Sequence, residues 1–273
     1  MNRTAREEER QRWLANVAIV LMEPKYAENI GAAARCAMNM GISRLIVVRD
    51  EEPDREKMLM MATHKAAHLI DHMELHRDLA TALLPFAMVV GTTAREGRHR
   101  HAARSPREVV AEVLPLLAEN QVAFLFGPEH RGLTNDDLKY CQLRSNIPTA
   151  DFSSLNLAQA VAIHCYELYH TLLEAEGVSR HKPKMASSFE LEGMYHHVEE
   201  LLKTIDFLKH GDYDYWMNNI RHFLGRMELR SKETQMVRGF CRQFLWYDGQ
   251  RQGGGDASGA LPAGDEAGTP AGR

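Results

Sequence analysis

The chain has 273 residues, 44% of them apolar, and 33 Lys and Arg against 37 Asp and Glu give it a formal net charge of −4. These values are typical of a soluble protein of one or two domains. No apolar run reaches the roughly 20 residues of a membrane helix, and the charged N-terminus lacks the apolar stretch of a signal peptide. We therefore expect no membrane contact and a cytoplasmic location. The four cysteines form no CxxC pair, which argues against a zinc site and a disulfide framework.

The N-terminal two thirds of the chain alternates predicted strands and helices. Residues 1–14 form a charged, solvated lead-in to a predicted domain over 15–176. Short apolar runs predict strands at 17–22, 44–48, 86–92 and 122–127, and a further strand ending within 146–148. Helical patterns lie at 30–41, 76–84, 106–118 and 156–175. The alternation predicts an α/β fold, a parallel sheet with helices on both faces.

The C-terminal third has a different pattern. Residues 177–188 are polar and predict a linker. Apolar residues over 189–247 recur at helical spacing, which predicts a small helical domain. Residues 248–273 are rich in Gly, Ala and Pro, and we expect that tail to be disordered.

Three short motifs lie at predicted strand ends or helix starts. Residues 126–138 (FGPEHRGLTNDDL) place two glycines and Glu129 after a strand, as an ordinary strand-to-helix turn also would. Residues 147–163 place Ser153, Ser154 and Asn156 at the start of a long helix, more polar groups than one N-cap requires. In 28–41, Arg35 falls on an otherwise apolar helix, where it either pairs at the helix edge or binds phosphate.

In their order and spacing, the motifs resemble the SPOUT superfamily, specifically its TrmH-like RNA ribose-2′-O-methyltransferases and, among those, the TrmJ type. The NxGxxxR pattern of that group corresponds to residues 29–35, and its GxExxGL pattern to 127–133. Ile147 followed by Ser154-Leu155-Asn156 corresponds to its third element, and GTTAR at 91–95 resembles a further loop. The resemblance covers residues 15–170 well and extends more loosely to 247.

This resemblance implies a fold and a cofactor that composition does not reveal. It implies a C-terminal trefoil knot in the α/β domain, despite the general rarity of knots. The knot would hold S-adenosylmethionine, and the expected contacts are Thr92, Thr93, Ala94, Gly127, Ile147, Ser154, Leu155 and Asn156. These positions coincide with the strand ends where ligands bind in parallel sheets.

The resemblance also implies a homodimer with each active site at the subunit interface. Arg35 of one subunit would meet the cofactor of the other, bind the phosphate next to the target ribose and favour the developing alkoxide. Arg35 is a poor general base because a guanidinium stays protonated, so a phosphate oxygen is the expected proton acceptor. Ser154 and Asn29 would position the substrate, and Glu129 would support the loop or the nucleotide. No metal is implied.

RNA binding requires local positive charge despite the acidic total. Residues 95–107 hold five arginines, of which Arg95, Arg98, Arg100 and Arg104 are the expected RNA contacts. Residues 217–242 hold six basic residues against two glutamates. A solvated charged surface is the alternative interpretation of each segment. The first segment directly follows an expected cofactor loop, which favours RNA contact there.

His64, His68, His72 and His76 recur every four residues, a spacing that binds metal on a continuous helix. A short edge strand predicted in LIDHMEL would break that register, so we do not expect a metal site.

The resemblance implies an S-adenosylmethionine-dependent tRNA 2′-O-methyltransferase, acting on cytidine or uridine 32 of the anticodon loop. Two alternatives stay open, a ribosomal RNA methyltransferase of the same fold and a catalytically silent RNA-binding protein.

Overall fold

The computed structural model describes residues 3–94, 104–175, 184–207 and 213–253. Its six strands are β1 (Val17–Met22), β2 (Arg44–Val48), β3 (Glu74–His76), β4 (Met88–Thr92), β5 (Val122–Phe126) and β6 (Leu143–Ser145). Its helices are α1 (Arg3–Ala15), α2 (Ala27–Asn39), α3 (Arg55–Asp71), α4 (Leu79–Leu83), α5 (Pro106–Val113), α6 (Asn135–Leu138), α7 (Leu157–Glu174), α8 (Ser188–Thr204), α9 (Tyr213–Gly225) and α10 (Ser231–Gly253). A single 3₁₀ turn at Leu114–Leu116 follows α5.

The strands form one parallel sheet in the order β3-β2-β1-β5-β4-β6. Successive residues of a strand point to opposite faces, so Ile19 and Leu21 of β1 belong to one apolar cluster and Ala18 and Val20 to another. Both faces of the sheet are therefore buried, and the predicted α/β fold with covered faces is confirmed. The trefoil knot stays a prediction.

Helix α2 lies against α3 at a distance that only glycine permits. A Cβ atom built on Gly31 would lie 1.9 Å from the carbonyl oxygen of Met58. Five of the 13 residues of α2 are alanine, and these small side chains allow a short distance between the helices. The close approach packs the helix that carries Asn29 and Arg35 tightly against α3.

Several predicted boundaries are wrong. The lead-in is not merely solvated, because α1 occupies residues 3–15 and buries Leu14 to 2% exposure. The last strand ends at Ser145, so residues 146–148 lie beyond it. The disordered tail predicted from residue 248 does not begin there, because α10 continues to Gly253. Residues 254–273 lie outside the described residues.

The C-terminal helices form a small domain with its own core, made by Ala186, Leu191, Met194 and Tyr195. Hydrogen bonds connect it directly to the sheet domain. Both the backbone N–H and the hydroxyl of Ser188 donate to the carbonyl of Phe86 at 2.7 Å. The described part of the predicted linker, residues 184–188, is thus anchored rather than loose. Residues 176–183 lie outside the described part of the chain.

The four spaced histidines do not share one helix. Helix α3 has a non-helical residue at Thr63 (φ 60°), His72 is its C-cap, and His76 belongs to edge strand β3. The repeat of four residues is therefore interrupted, as the predicted edge strand requires. Over the described ranges, no helix is both long and apolar enough to cross a bilayer.

Candidate functional site

A pocket of about 340 Å³ opens at the carboxyl ends of β4, β5 and β6. We call it the strand-end pocket. Its lining includes seven of the eight expected cofactor contacts, namely Thr92, Thr93, Ala94, Gly127, Ile147, Ser154 and Leu155. Asn156, the eighth, lines an adjoining shallow cavity together with Tyr26, Glu28 and Asn29. Glu129, Ser154 and Leu155 line both spaces, so they mark the mouth where the two join.

The loop after β4 is held by neighbouring strands. The hydroxyl of Thr92 donates to the carbonyl of Leu125 at 3.1 Å, and the backbone N–H of Thr93 donates to the carbonyl of Ser145 at 2.9 Å. These bonds tie the wall of the strand-end pocket to β5 and β6. Ala94 is the last described residue before the basic segment.

The loop after β5 turns back on itself within seven residues. Gly132 has a positive φ of 65°, a conformation that favours glycine. A Cβ on Gly127 would lie 2.3 Å from the backbone nitrogen of Leu133, so the two ends of the loop touch at a point with no space for a side chain. Thr134 and Asp137 then form a capping box that starts α6. The tight turn therefore depends on both glycines, Gly127 for the close approach and Gly132 for its positive φ.

The segment before α7 ends in a second capping box. The Asn156 side chain accepts from the backbone N–H of Ala158 at 2.9 Å, and Gln159 closes the box. Asn156 is therefore the N-cap, while Ser153 and Ser154 are exposed residues before the helix. The excess of polar groups noted in the sequence thus divides into one cap and two groups that line the pocket.

Three polar side chains join the two cavities at their mouth. Asn29 donates to Glu129 at 2.6 Å and accepts from the amide of Asn156 at 2.9 Å, and the backbone N–H of Lys25 also donates to Glu129 at 2.8 Å. Burial raises the pKa of Glu129, but these hydrogen bonds outweigh it and the pKa lies below its ordinary value. Glu129 is consequently a carboxylate at neutral pH. It is suited to holding hydrogen-bond donors in place, and its lowered pKa makes it a weak base.

Arg35 lies apart from this network. It is exposed on α2 and is absent from the linings of the strand-end pocket and the adjoining cavity. Asn29 and Arg35 are six positions apart, so their side chains leave the helix about 120° apart. The structure therefore brings Asn29, Glu129, Ser154 and Asn156 together and leaves Arg35 facing outward.

A buried pair that sequence reasoning missed lies at the inner end of the pocket. His164 and Ser145 both line it, each is only 1% exposed, and His164 Nε2 lies 2.8 Å from Ser145 Oγ. Burial lowers the pKa of His164 to about 4, so the ring is neutral at physiological pH. The only sequence signal for this pair was a single histidine on the apolar face of α7. A histidine that is merely hydrogen-bonded within a core gives the same pattern.

A second cleft lies between the sheet domain and the C-terminal helices. Its lining combines acidic residues with the basic residues Arg104, Lys139, Arg144, Arg221 and Arg226. Arg104 forms an ion pair with Glu112, and Arg221 makes a two-pronged pair with Glu192 at 2.6 and 2.8 Å. Of the expected RNA contacts, Arg104 is thus in this interdomain cleft, whereas Arg95, Arg98 and Arg100 lie outside the described residues.

Family comparisons match this arrangement of two domains. Residues 16–166 match the SpoU rRNA Methylase family, and residues 189–254 match the C-terminal domain of tRNA methyltransferase TrmJ. The chain is a SpoU-family methylase of the TrmJ type. The first match spans the whole sheet and every residue of the strand-end pocket, so the pocket belongs to the methylase domain.

Relatives of this methylase match across both domains. The tRNA (cytidine/uridine/adenosine-2′-O-)-methyltransferase TrmJ of Pseudomonas aeruginosa is 33% identical over 84% of this chain and 94% of its own length. The tRNA (cytidine/uridine-2′-O-)-methyltransferase TrmJ of Sodalis glossinidius is 33% identical over 83% and 90%. The crystal structure of TrmJ from Z. mobilis matches with a TM-score of 0.73 and 29% identity, over 84% of this chain and 98% of that one.

Proposed function

We propose that this methylase transfers a methyl group from S-adenosylmethionine to the ribose 2′-oxygen of cytidine or uridine 32 in the tRNA anticodon loop. The observation that carries the proposal is the strand-end pocket, which opens through Glu129 and Ser154 onto the cavity beside Asn29. A cofactor space and a substrate space thus share one mouth. The TrmJ relatives, named as tRNA cytidine/uridine-2′-O-methyltransferases over nearly their whole length, support the RNA class.

The strand-end pocket fits a nucleoside cofactor. Its volume of about 340 Å³ lies in the usual range of small-molecule sites, and its lining mixes apolar side chains such as Phe126 and Leu157 with polar ones. Gly127 and Gly132 belong to a tight turn in the pocket wall, and neither places a side chain there. Thr92 to Ala94, Gly127, Ile147 and Ser154 to Asn156 would hold the cofactor, which supplies an electrophilic methyl group.

The protein's part of the reaction is to orient the hydroxyl and to help its proton leave. Ser154 lies at the shared mouth, exposed and able to position the ribose. Asn29 is engaged at both ends of its amide, so we assign it to positioning the mouth through Glu129 and Asn156. Glu129, with its lowered pKa, fixes donors and is not assigned as the base.

Arg35 would act from the partner subunit of a homodimer. Its outward direction on α2, away from the pocket of its own chain, favours this assignment. There it would bind the phosphate next to the target ribose and stabilise the developing alkoxide, while a phosphate oxygen takes the proton. The active site would then be complete only in the dimer.

The RNA would extend over the basic surfaces. Arg95, Arg98 and Arg100 follow the cofactor loop directly, and Arg104 carries this positive segment into the interdomain cleft. The helical domain over 189–247 would contact the tRNA there. Such an enzyme works where tRNA is processed, in the cytoplasm, and needs neither a membrane nor a metal.

The decisive experiment is mass-spectrometric mapping of 2′-O-methyl groups in tRNA after incubation with the enzyme and S-adenosylmethionine. We expect one new methyl group at nucleotide 32, and none in a tRNA carrying 2′-deoxyribose at that position. Methylation of ribosomal RNA and not of tRNA would favour the first alternative substrate. Cofactor binding without methylation of either RNA would favour a silent RNA-binding protein. Either result would overturn the proposal.

A further inference from the structure

The buried His164–Ser145 pair has a defined hydrogen-bond polarity. His164 Nδ1 lies 2.8 Å from the carbonyl oxygen of Ala160, which can only accept, so Nδ1 carries the proton. In a neutral ring Nε2 then has no proton and must accept. Ser145 Oγ, 2.8 Å away, is therefore the donor in this bond.

This polarity decides what Ser145 offers to a ligand. Its only proton is committed to His164, and no other hydrogen bond to Ser145 Oγ comes from the residues that the structure describes. Because Ser145 lines the strand-end pocket, its remaining lone pairs are available there only as acceptors. A ligand group that donates a proton is favoured at this point, and one that accepts is disfavoured.

The surroundings identify the part of the ligand that reaches this point. His164 contacts the ring of Phe126 edge-on at 5.3 Å and is bonded to Ala160, and all three residues line the pocket but not the adjoining cavity. The inner end is thus a buried site with an aromatic wall and one polar group, and its residues are not among those that line the adjoining cavity. A flat base fits such a site, whereas an ammonium group would lose its hydration there.

We propose that His164 fixes Ser145 Oγ as an acceptor for the 6-amino group of the cofactor's adenine, and that this pair selects a 6-amino purine over a 6-oxo purine. The inference rests on the proposed cofactor. The pair is a positioning and selectivity device, remote from the methyl group. A 6-oxo group would bring an oxygen against the Ser145 oxygen and leave a buried acceptor unpaired.

The test compares two ligands that differ at this one group, S-adenosylhomocysteine and S-inosylhomocysteine, by calorimetric titration. We expect the wild-type protein to bind the adenosyl ligand at least about tenfold more tightly. Ser145→Ala should weaken the adenosyl ligand and bring the ratio of the two dissociation constants close to one. His164→Ile should also shrink the ratio, because a released Ser145 hydroxyl can donate to the 6-oxo group. A merely structural role would weaken both ligands equally and preserve the ratio.

A measurement on the wild-type protein guards against variants that fail to fold. Long-range ¹H–¹⁵N spectra should show His164 as the Nδ1–H tautomer around neutral pH. The Nε2 tautomer, or a ratio unchanged by Ser145→Ala in a folded protein, would overturn the inference alone. A wild-type protein that binds the adenosyl ligand without preference would also overturn it. Failure to bind either ligand would overturn the proposed cofactor as well.

Discussion

The side-chain amide of Asn29 lies 2.6 Å from the carboxylate of Glu129 and joins the start of α2 to the loop after β5. Asn29→Ala removes this donor and also the acceptor of the Asn156 amide. We expect methyl transfer to fall at least tenfold and the free energy of unfolding to drop by about 1 kcal/mol. Single-turnover rates and urea titration measure the two effects. Asn39→Ala, at the exposed end of the same helix, is the stability control; an equal loss there would contradict a specific role for Asn29.

The ionised state of Glu129 predicts a pH dependence of stability. Its folded pKa lies below its ordinary value of 4.5, so its contribution to the free energy of unfolding is present above 4.5 and is lost as the pH falls through the folded value. The stability difference between wild type and Glu129→Gln should therefore be largest at neutral pH and shrink as the pH falls below 4.5. Denaturant titrations across this range provide the measurement, and a constant difference would speak against a stabilised carboxylate.

Arg35 gives the sharpest test of a shared site. Because it is exposed in the described chain, Arg35→Ala should leave folding and S-adenosylhomocysteine affinity unchanged and lower methyl transfer by at least about a hundredfold. Mixing inactive Arg35→Ala with an inactive Ser154→Ala chain should restore about a quarter of the activity, since half of the dimers would carry one intact site. No recovery after proven subunit exchange would place both residues in the same subunit's site.

The basic segment predicts a salt-dependent loss of RNA binding. Replacing Arg98, Arg100 and Arg104 with alanine should weaken tRNA binding and reduce the slope of log affinity against log salt by up to about 3. Fluorescence anisotropy at several salt concentrations measures this slope. The matched control replaces the same three arginines with lysine, which retains the charge and should retain the slope. An unchanged slope in the alanine variant would rule out these phosphate contacts.

The junction of the two domains predicts a stability effect far from the pocket. Asn120 is 3% exposed, and it accepts from the backbone N–H of Met185 at 2.6 Å and donates to the carbonyl of Leu116 at 3.0 Å. Asn120→Ala should cost about 1–3 kcal/mol because it leaves buried groups unpaired. Chemical denaturation provides the value. Glu119→Ala, at the exposed neighbouring position, should cost much less; an equal loss there would contradict a stabilising role for the buried bonds of Asn120.

Local sequence patterns were sufficient to predict the strands of the sheet and most residues of the strand-end pocket. The strands of VAIVLM and VAFLF are buried on both faces, so a continuous apolar run identified them. The motifs that identified Gly127 and Ser154 are contiguous in sequence. The helix at residues 3–15 was missed because its charged sequence buries few residues, chiefly Leu14.

Contacts between distant segments could not be predicted in the same way. His164 meets Ser145 only because α7 returns across the end of β6, and Asn156 meets Asn29 across 127 positions. Neither pair leaves a periodic trace in the sequence. The anchoring of residues 184–188 was missed for the same reason, since its polar composition gives no sign of the bond from Ser188 to Phe86.

Strand β6 has three residues, and its last two line different spaces: Arg144 the interdomain cleft and Ser145 the strand-end pocket. Side chains of an extended strand alternate sides, so a one-residue insertion or deletion here would exchange these linings. It would turn a guanidinium into the buried inner end of the pocket and a small hydroxyl into the charged cleft. The length of this edge strand is therefore constrained by two different spaces, one on each side of the sheet.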